Sequence, residues 1–112
     1  MSLTTEKSGD TLVVSAAGQI NSANAAAIET ELLGWVEKGE HLCVLDLSQL
    51  DYISSAGLRV VLMLAKRLKQ NAGRLILCSL QPQVREVFDI SGFLSILTVV
   101  DSRSVALQQI QA

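Results

Sequence analysis

From His41 to Leu47 the chain reads His-Leu-Cys-Val-Leu-Asp-Leu, a nearly unbroken apolar run without polar alternation. A strand wetted on one face alternates polar with apolar, so this run describes a strand covered on both faces and central in a sheet. Arg74 to Cys78, Arg-Leu-Ile-Leu-Cys, repeats the pattern. Two such strands separated by a helical segment are the mark of a layered α/β fold with parallel pairing.

The rest of the chain fits that frame. Residues 3–7 and 11–17 read as short strands around Ser8-Gly9-Asp10, an entry hairpin. Asn21 or Ser22 is placed to cap a first helix that runs to Gly39, with Ile28, Leu32, Leu33, Trp35 and Val36 at helical spacing. Ser54 or Ser55 begins a second helix ending near Gln70, before Asn71-Ala-Gly73. Pro82 suits the first turn of a third helix to about Ile90. Ile96 to Val100 reads as a last strand, followed by a short helix from Ser102 or Arg103. The expectation is one domain over residues 1–112: a mixed sheet of about five strands, an antiparallel hairpin followed by βα units, packed with about four helices.

Composition narrows the function. With 112 residues and a formal charge of −2, the chain offers no global attraction for nucleic acid or an anionic membrane. Aromatic residues are 4% of the chain, too few for a base-stacking surface. The longest apolar stretch, Val60 to Ala65, falls far short of the roughly 20 residues that span a bilayer. The N-terminus lacks a secretory pattern, so a cytoplasmic location is the default expectation. Cys43 and Cys78 sit inside apolar runs and read as small buried hydrophobes, and the single His41 completes no zinc spacing with them. No metal or cofactor is expected.

The informative segment runs from Cys43 through Asp46-Leu-Ser-Gln-Leu-Asp-Tyr-Ile-Ser-Ser-Ala-Gly-Leu-Arg-Val-Val61. It crosses from the central strand into the second helix, where open α/β sheets gather their chemistry. A helix start presents unpaired amides and a partial positive charge, so a phosphate on Ser54 or Ser55 would be welcome there. Both serines can equally be plain helix caps, with Gly57 permitting close packing. At 100° per residue, Ser55, Arg59, Lys66 and Gln70 share one arc with Met63 at its edge, while Leu58, Val61, Leu62, Leu64, Ala65 and Leu68 face the core. The surface is polarised: five cations and no acid lie between Arg59 and Arg74, whereas Asn21 to Glu40 holds four Glu and one Lys.

Asp46-Leu-Ser-Gln-Leu-Asp-Tyr-Ile-Ser-Ser-Ala-Gly-Leu-Arg-Val-Val61 resembles the phosphorylation-site signature of the STAS family, specifically the bacterial anti-anti-sigma factors. The resemblance covers essentially the whole chain, with Ser-Ser-Ala-Gly-Leu as its specific part. It implies that Ser55, two residues before Gly57, is the phosphoacceptor of an anti-sigma factor that is also an ATP-dependent serine kinase of the histidine-kinase-like ATPase fold. Ser54, the less favoured alternative, stands where many members carry Asp, and Asn21 stands where an acid is frequent. Asp46 matches the family acid at the strand end. The implied scheme is a partner switch: the unphosphorylated protein binds the kinase and frees the sigma factor, phosphorylation ends that binding, and a serine phosphatase resets it. The expected contact residues are Asp51 and Tyr52 on the loop, Ser54, Ser55 and Gly57 at the helix start, then Arg59 and Met63. The free chain is expected to be a monomer. The alternative within the family is a STAS module of a transport or lipid-trafficking complex without phosphoswitching.

Other classes lack their motifs. A receiver domain modified on Asp46 would need an acidic pair after the first strands and a Lys after the last. A nucleotide hydrolase would need Gly-x-x-x-x-Gly-Lys, and a serine hydrolase a Gly-x-Ser-x-Gly elbow. No catalytic activity is expected.

Overall fold

The computed structural model describes residues 1–111. Strand β1 (Ser2–Ser8) runs antiparallel to β2 (Thr11–Ile20), with Ser8 opposite Thr11 across a two-residue turn. Gly9 takes the first turn position at φ +61°, which a side chain would strain. Helix α1 (Ala25–Glu37) leads to β3 (Leu42–Ile53), α2 (Ser55–Gln70), β4 (Arg74–Cys78) and α3 (Pro82–Ile90). A 3-10 turn at Phe93–Ser95, β5 (Thr98–Val100) and α4 (Arg103–Ile110) complete the chain. The sheet order is β1-β2-β3-β4-β5, antiparallel only between β1 and β2, so β3 is central as expected.

Four boundaries stand out against the sequence reading. Strand β2 continues past Ala17 to Ile20, and β3 continues past Leu47 to Ile53. Their parallel pairing has irregularities between Ser15 and Ala17 and between Gly18 and Gln19, with Gly18 at φ +98°. Bulges of this kind reset the side-chain alternation and hide the strand period. Asp51 and Tyr52 therefore lie on the end of a strand, not on a loop. Asn21 and Ser22 do not cap α1; Asn24 occupies that position, and the Asn21 Oδ1 accepts from the amides of Ala23 (2.9 Å) and Asn24 (3.2 Å) in a preceding turn. Ile96 is outside β5 because Gly92, at φ +78°, starts a turn in which the Leu97 amide donates to the Phe93 carbonyl.

The three crossover helices share one face of the sheet. Cys43, Leu45, Leu47, Leu50 and Ile53 of β3 meet Ile28 and Leu32 of α1, Leu58 and Leu64 of α2, and Val84 and Phe88 of α3. On the other face Val44 packs with Val13, Ile76, Cys78, and Ala106 and Ile110 of α4. The double cover expected for His41 to Leu47 is thus met by unequal layers. Within α2 Leu58, Val61, Leu64 and Leu68 are in the core as expected, whereas Leu62 and Ala65 are only half-buried and Val60 is in the core. No helix is long and apolar enough to cross a membrane among the described residues.

An ionic network fastens α4 to the sheet. Arg103 Nε donates to Asp46 Oδ2 at 2.9 Å, its Nη2 donates to Ser15 Oγ at 2.8 Å, and its Nη1 bonds to Glu6 Oε1. One guanidinium thereby joins β1, β2, β3 and α4. Burial pushes the Asp46 carboxyl up, but hydrogen bonding by Ser48 and the Arg103 charge outweigh it, and the net shift is below the ordinary carboxylate value. Burial, with Glu40 adding to it, pushes the Cys43 thiol up to about 12, so it stays protonated and inert at neutral pH.

Two stability measurements test this packing. Urea denaturation of Leu64→Ala should show a loss of about 2–5 kcal/mol, and that of Leu62→Ala a clearly smaller one; equal losses would overturn the helix phase. The lowered Asp46 value means that its contribution is present above the unfolded carboxyl value of about 3.9 and is lost as pH falls through the folded value. Acid titration followed by circular dichroism should therefore show less stability lost on acidification in Asp46→Asn than in the unaltered chain.

Candidate functional site

The C-terminal ends of β2 and β3 bring the site together. Ile20 pairs with Ile53, and the Ser54 amide donates to the Ile20 carbonyl at 2.9 Å, extending the ladder by one bond into the start of α2. Ser54 is extended at φ −87° and ψ 174°, and its Oγ accepts from the Gly57 amide at 3.2 Å. This is an N-cap, and it occupies the Ser54 hydroxyl. Ser55 is the first helical residue; its side chain is exposed and makes no hydrogen bond with the described residues. Adjacent serines are thus divided between a structural and an available hydroxyl.

Gly57 is buried beneath that start. A Cβ there would stand 2.6 Å from Ile53 Cγ1 and 2.8 Å from Ile20 Cγ2, too close for any side chain. Gly57 therefore serves the site by letting α2 seat on the ends of β2 and β3. The first turn of α2 contains no acid, so no carboxylate offsets the positive end of its dipole.

Of the other expected contact residues, Tyr52 is 48% exposed, Asp51 and Arg59 are exposed, and Met63 is half-buried. Arg59 and Met63 follow Ser55 at i+4 and i+8, one and two turns along the same face. Asp51 is held from a direction the sequence did not signal. Gln81 Nε2 donates to the Ser48 carbonyl (2.9 Å) and to Asp51 Oδ1 (3.3 Å), while Gln83 Nε2 donates to the Asp51 carbonyl (3.3 Å) and to Gln81 Oε1 (2.8 Å). Their only sequence mark is that they flank Pro82 at the corresponding end of β4. Asp46 lies apart from this group, on the α4 side with Arg103.

The family model for the STAS domain matches residues 2–106. The chain belongs to the STAS domain family. A Bordetella bronchiseptica protein, BtrV, described as a candidate anti-sigma factor antagonist, is 58% identical over 106 residues, 95% of this chain and 91% of its own length. A Thermotoga maritima crystal structure described in the same terms superimposes with a TM-score of 0.93 at 21% identity, covering 98% of this chain and 95% of that one. SpoIIAA of Bacillus in its phosphorylated form superimposes with a TM-score of 0.74 at 22% identity, covering 97% and 99%. These structural likenesses establish the STAS fold for an α/β chain already described in those terms.

The close approach at Gly57 is directly testable. Gly57→Ala should lower stability by about 1–3 kcal/mol in thermal or urea melts through overpacking against Ile20 and Ile53. An unchanged midpoint would mean that α2 does not need this seat.

Proposed function

We propose that this chain is an anti-sigma factor antagonist working as a partner switch, with Ser55 as its phosphoacceptor. The observation that carries the reading is the exposed, unbonded Ser55 hydroxyl beside a Ser54 whose oxygen is occupied as the helix cap. The description of BtrV at 58% identity supports the antagonist role, and the existence of SpoIIAA in a phosphorylated form supports modification within this fold.

The unmodified chain binds an anti-sigma factor that is also a serine kinase of the histidine-kinase-like ATPase fold, and so releases the sigma factor. In the transfer, Ser55 Oγ bonds to the γ-phosphorus of ATP, the bond to ADP breaks, and the hydroxyl proton passes to a base on the kinase. The product carries about −1.5 to −2 added charges at a helix N-terminus, which the fold tolerates. At a closely packed interface over Tyr52, Ser55, Arg59 and Met63, the same charge imposes desolvation and repulsion, and the partners separate. A serine phosphatase restores the binding form. The free chain acts as a cytoplasmic monomer and as a substrate rather than as an enzyme.

Incubation with the cognate anti-sigma kinase and ATP, followed by mass spectrometry, should add one phosphate at Ser55 and none to Ser55→Ala. Isothermal titration should show Ser55→Asp and Met63→Glu each binding the kinase about tenfold more weakly or worse. Modification that persists in Ser55→Ala would overturn the assignment. An unmodified Ser55 together with undiminished binding by Ser55→Asp would point instead to a STAS interaction module of a transport or lipid-trafficking complex.

A further inference from the structure

Past Ser55, α2 borders a groove that shares only Arg59 and Met63 with the proposed kinase surface. Its apolar lining is Leu62, Met63, Ile96 and Leu97, and it encloses about 430 Å³ between α2 and the segment leading into β5. Arg59, Lys66 and Lys69 line it as well, with no acid. An adjoining hollow of about 310 Å³ shares Lys69, Ile96 and Leu97 and extends to Arg74. Ile96 is 66% exposed here because the turn at Phe93–Ser95 holds it out of the strand. None of Arg59, Lys66 or Lys69 forms a salt bridge among the described residues, whereas Arg67, on another side of the helix, faces Glu37 of α1 at 3.9 Å.

We infer that this groove is a docking site for an amphipathic helix of a partner protein, one that carries an apolar stripe flanked by Glu or Asp. The charge lining the groove is all of one sign, so an acidic flank is matched along it and a basic one repelled. Arg59 to Lys69 spans about 15 Å of helix, the length of about three turns of a helix laid alongside. Apolar anchors at i, i+3 or i+4 and i+7 would reach Leu62, Met63 and Ile96 from one face. The assignment goes beyond the Ser55 switch: Lys66, Lys69, Ile96 and Leu97 lie past the surface assigned to the kinase, and only Arg59 and Met63 are common to both.

The probe is a fluorescein-labelled synthetic helix of about sixteen residues with Leu at those anchor positions and Glu on both flanks, titrated with the full chain by anisotropy. Saturable binding is expected, with amide shifts in NMR spectra concentrated at Leu62, Met63, Lys66, Lys69 and Ile96. Affinity should fall roughly fivefold or more in Lys66→Glu/Lys69→Glu and should fall as salt rises from about 50 to about 500 mM. Circular dichroism and the melting temperature of that double variant report whether it is folded, and Ile96→Ser offers a second, uncharged test of the same groove. Absence of binding, equal binding of the peptide with Lys in place of Glu, or shifts elsewhere on the surface would overturn the inference. Sedimentation with phosphatidylglycerol vesicles that is lost in the double lysine variant would overturn it in favour of a membrane surface. Phosphorylation of Ser55 does not enter this assay, so failure here is distinguishable from failure of the switch.

Discussion

The parallel ladder between β2 and β3 is the contact on which the rest of the molecule depends. It begins at Thr11 with Leu42 and ends at Ile20 with Ile53, outrunning the β3–β4 pairing, which stops at Asp46 with Cys78. That overhang carries the start of α2 beyond the body of the sheet. The Ser54 amide joins the ladder's last carbonyl, the Ser54 hydroxyl closes the helix start, and Gly57 lets the first turn settle on Ile20 and Ile53. Ser55 is presented at a turn that Ser54 and Gly57 are committed to holding.

The two faces of the sheet divide the work. The face under α1, α2 and α3 has most of the apolar core and seats the helix with the candidate site. The opposite face has the smaller core and depends on the bonds of Arg103 to Asp46, Ser15 and Glu6 to keep α4 in place. Burying the Asp46 carboxylate is costly in itself, and the guanidinium and the Ser48 amide offset that cost. Charge at the front of the molecule can therefore change at Ser55 without touching the ionic fastening at the back.

Much of the architecture was legible because apolar runs such as Leu42–Leu47 and Arg74–Cys78 have few alternatives to a covered strand. The illegible stretch was the second half of β3. There Leu47, Leu50 and Ile53 are buried at intervals of three, which matches neither an alternating strand nor a continuous apolar run. The cause lies in the bulged pairing with β2, a property of two segments that no single window contains. Leu62 and Ile96 were misplaced for a related reason: the turn set by Gly92 holds Ile96 out of the strand, and Leu62 borders the groove beside it. The serine pair was located from its place before Gly57, but choosing between cap and free hydroxyl required the backbone angles at Ser54.

The two outer strands of the sheet restrict how another molecule can join it. Strand β1 is mostly exposed and carries Thr4, Thr5, Glu6 and Lys7, while β5 is only three residues long. Charged and very short edges are poor templates for a further strand. Growth of the sheet into a second chain is discouraged at both borders, which leaves side-chain surfaces, free to part again without exchanging backbone hydrogen bonds, as the means by which another molecule can join.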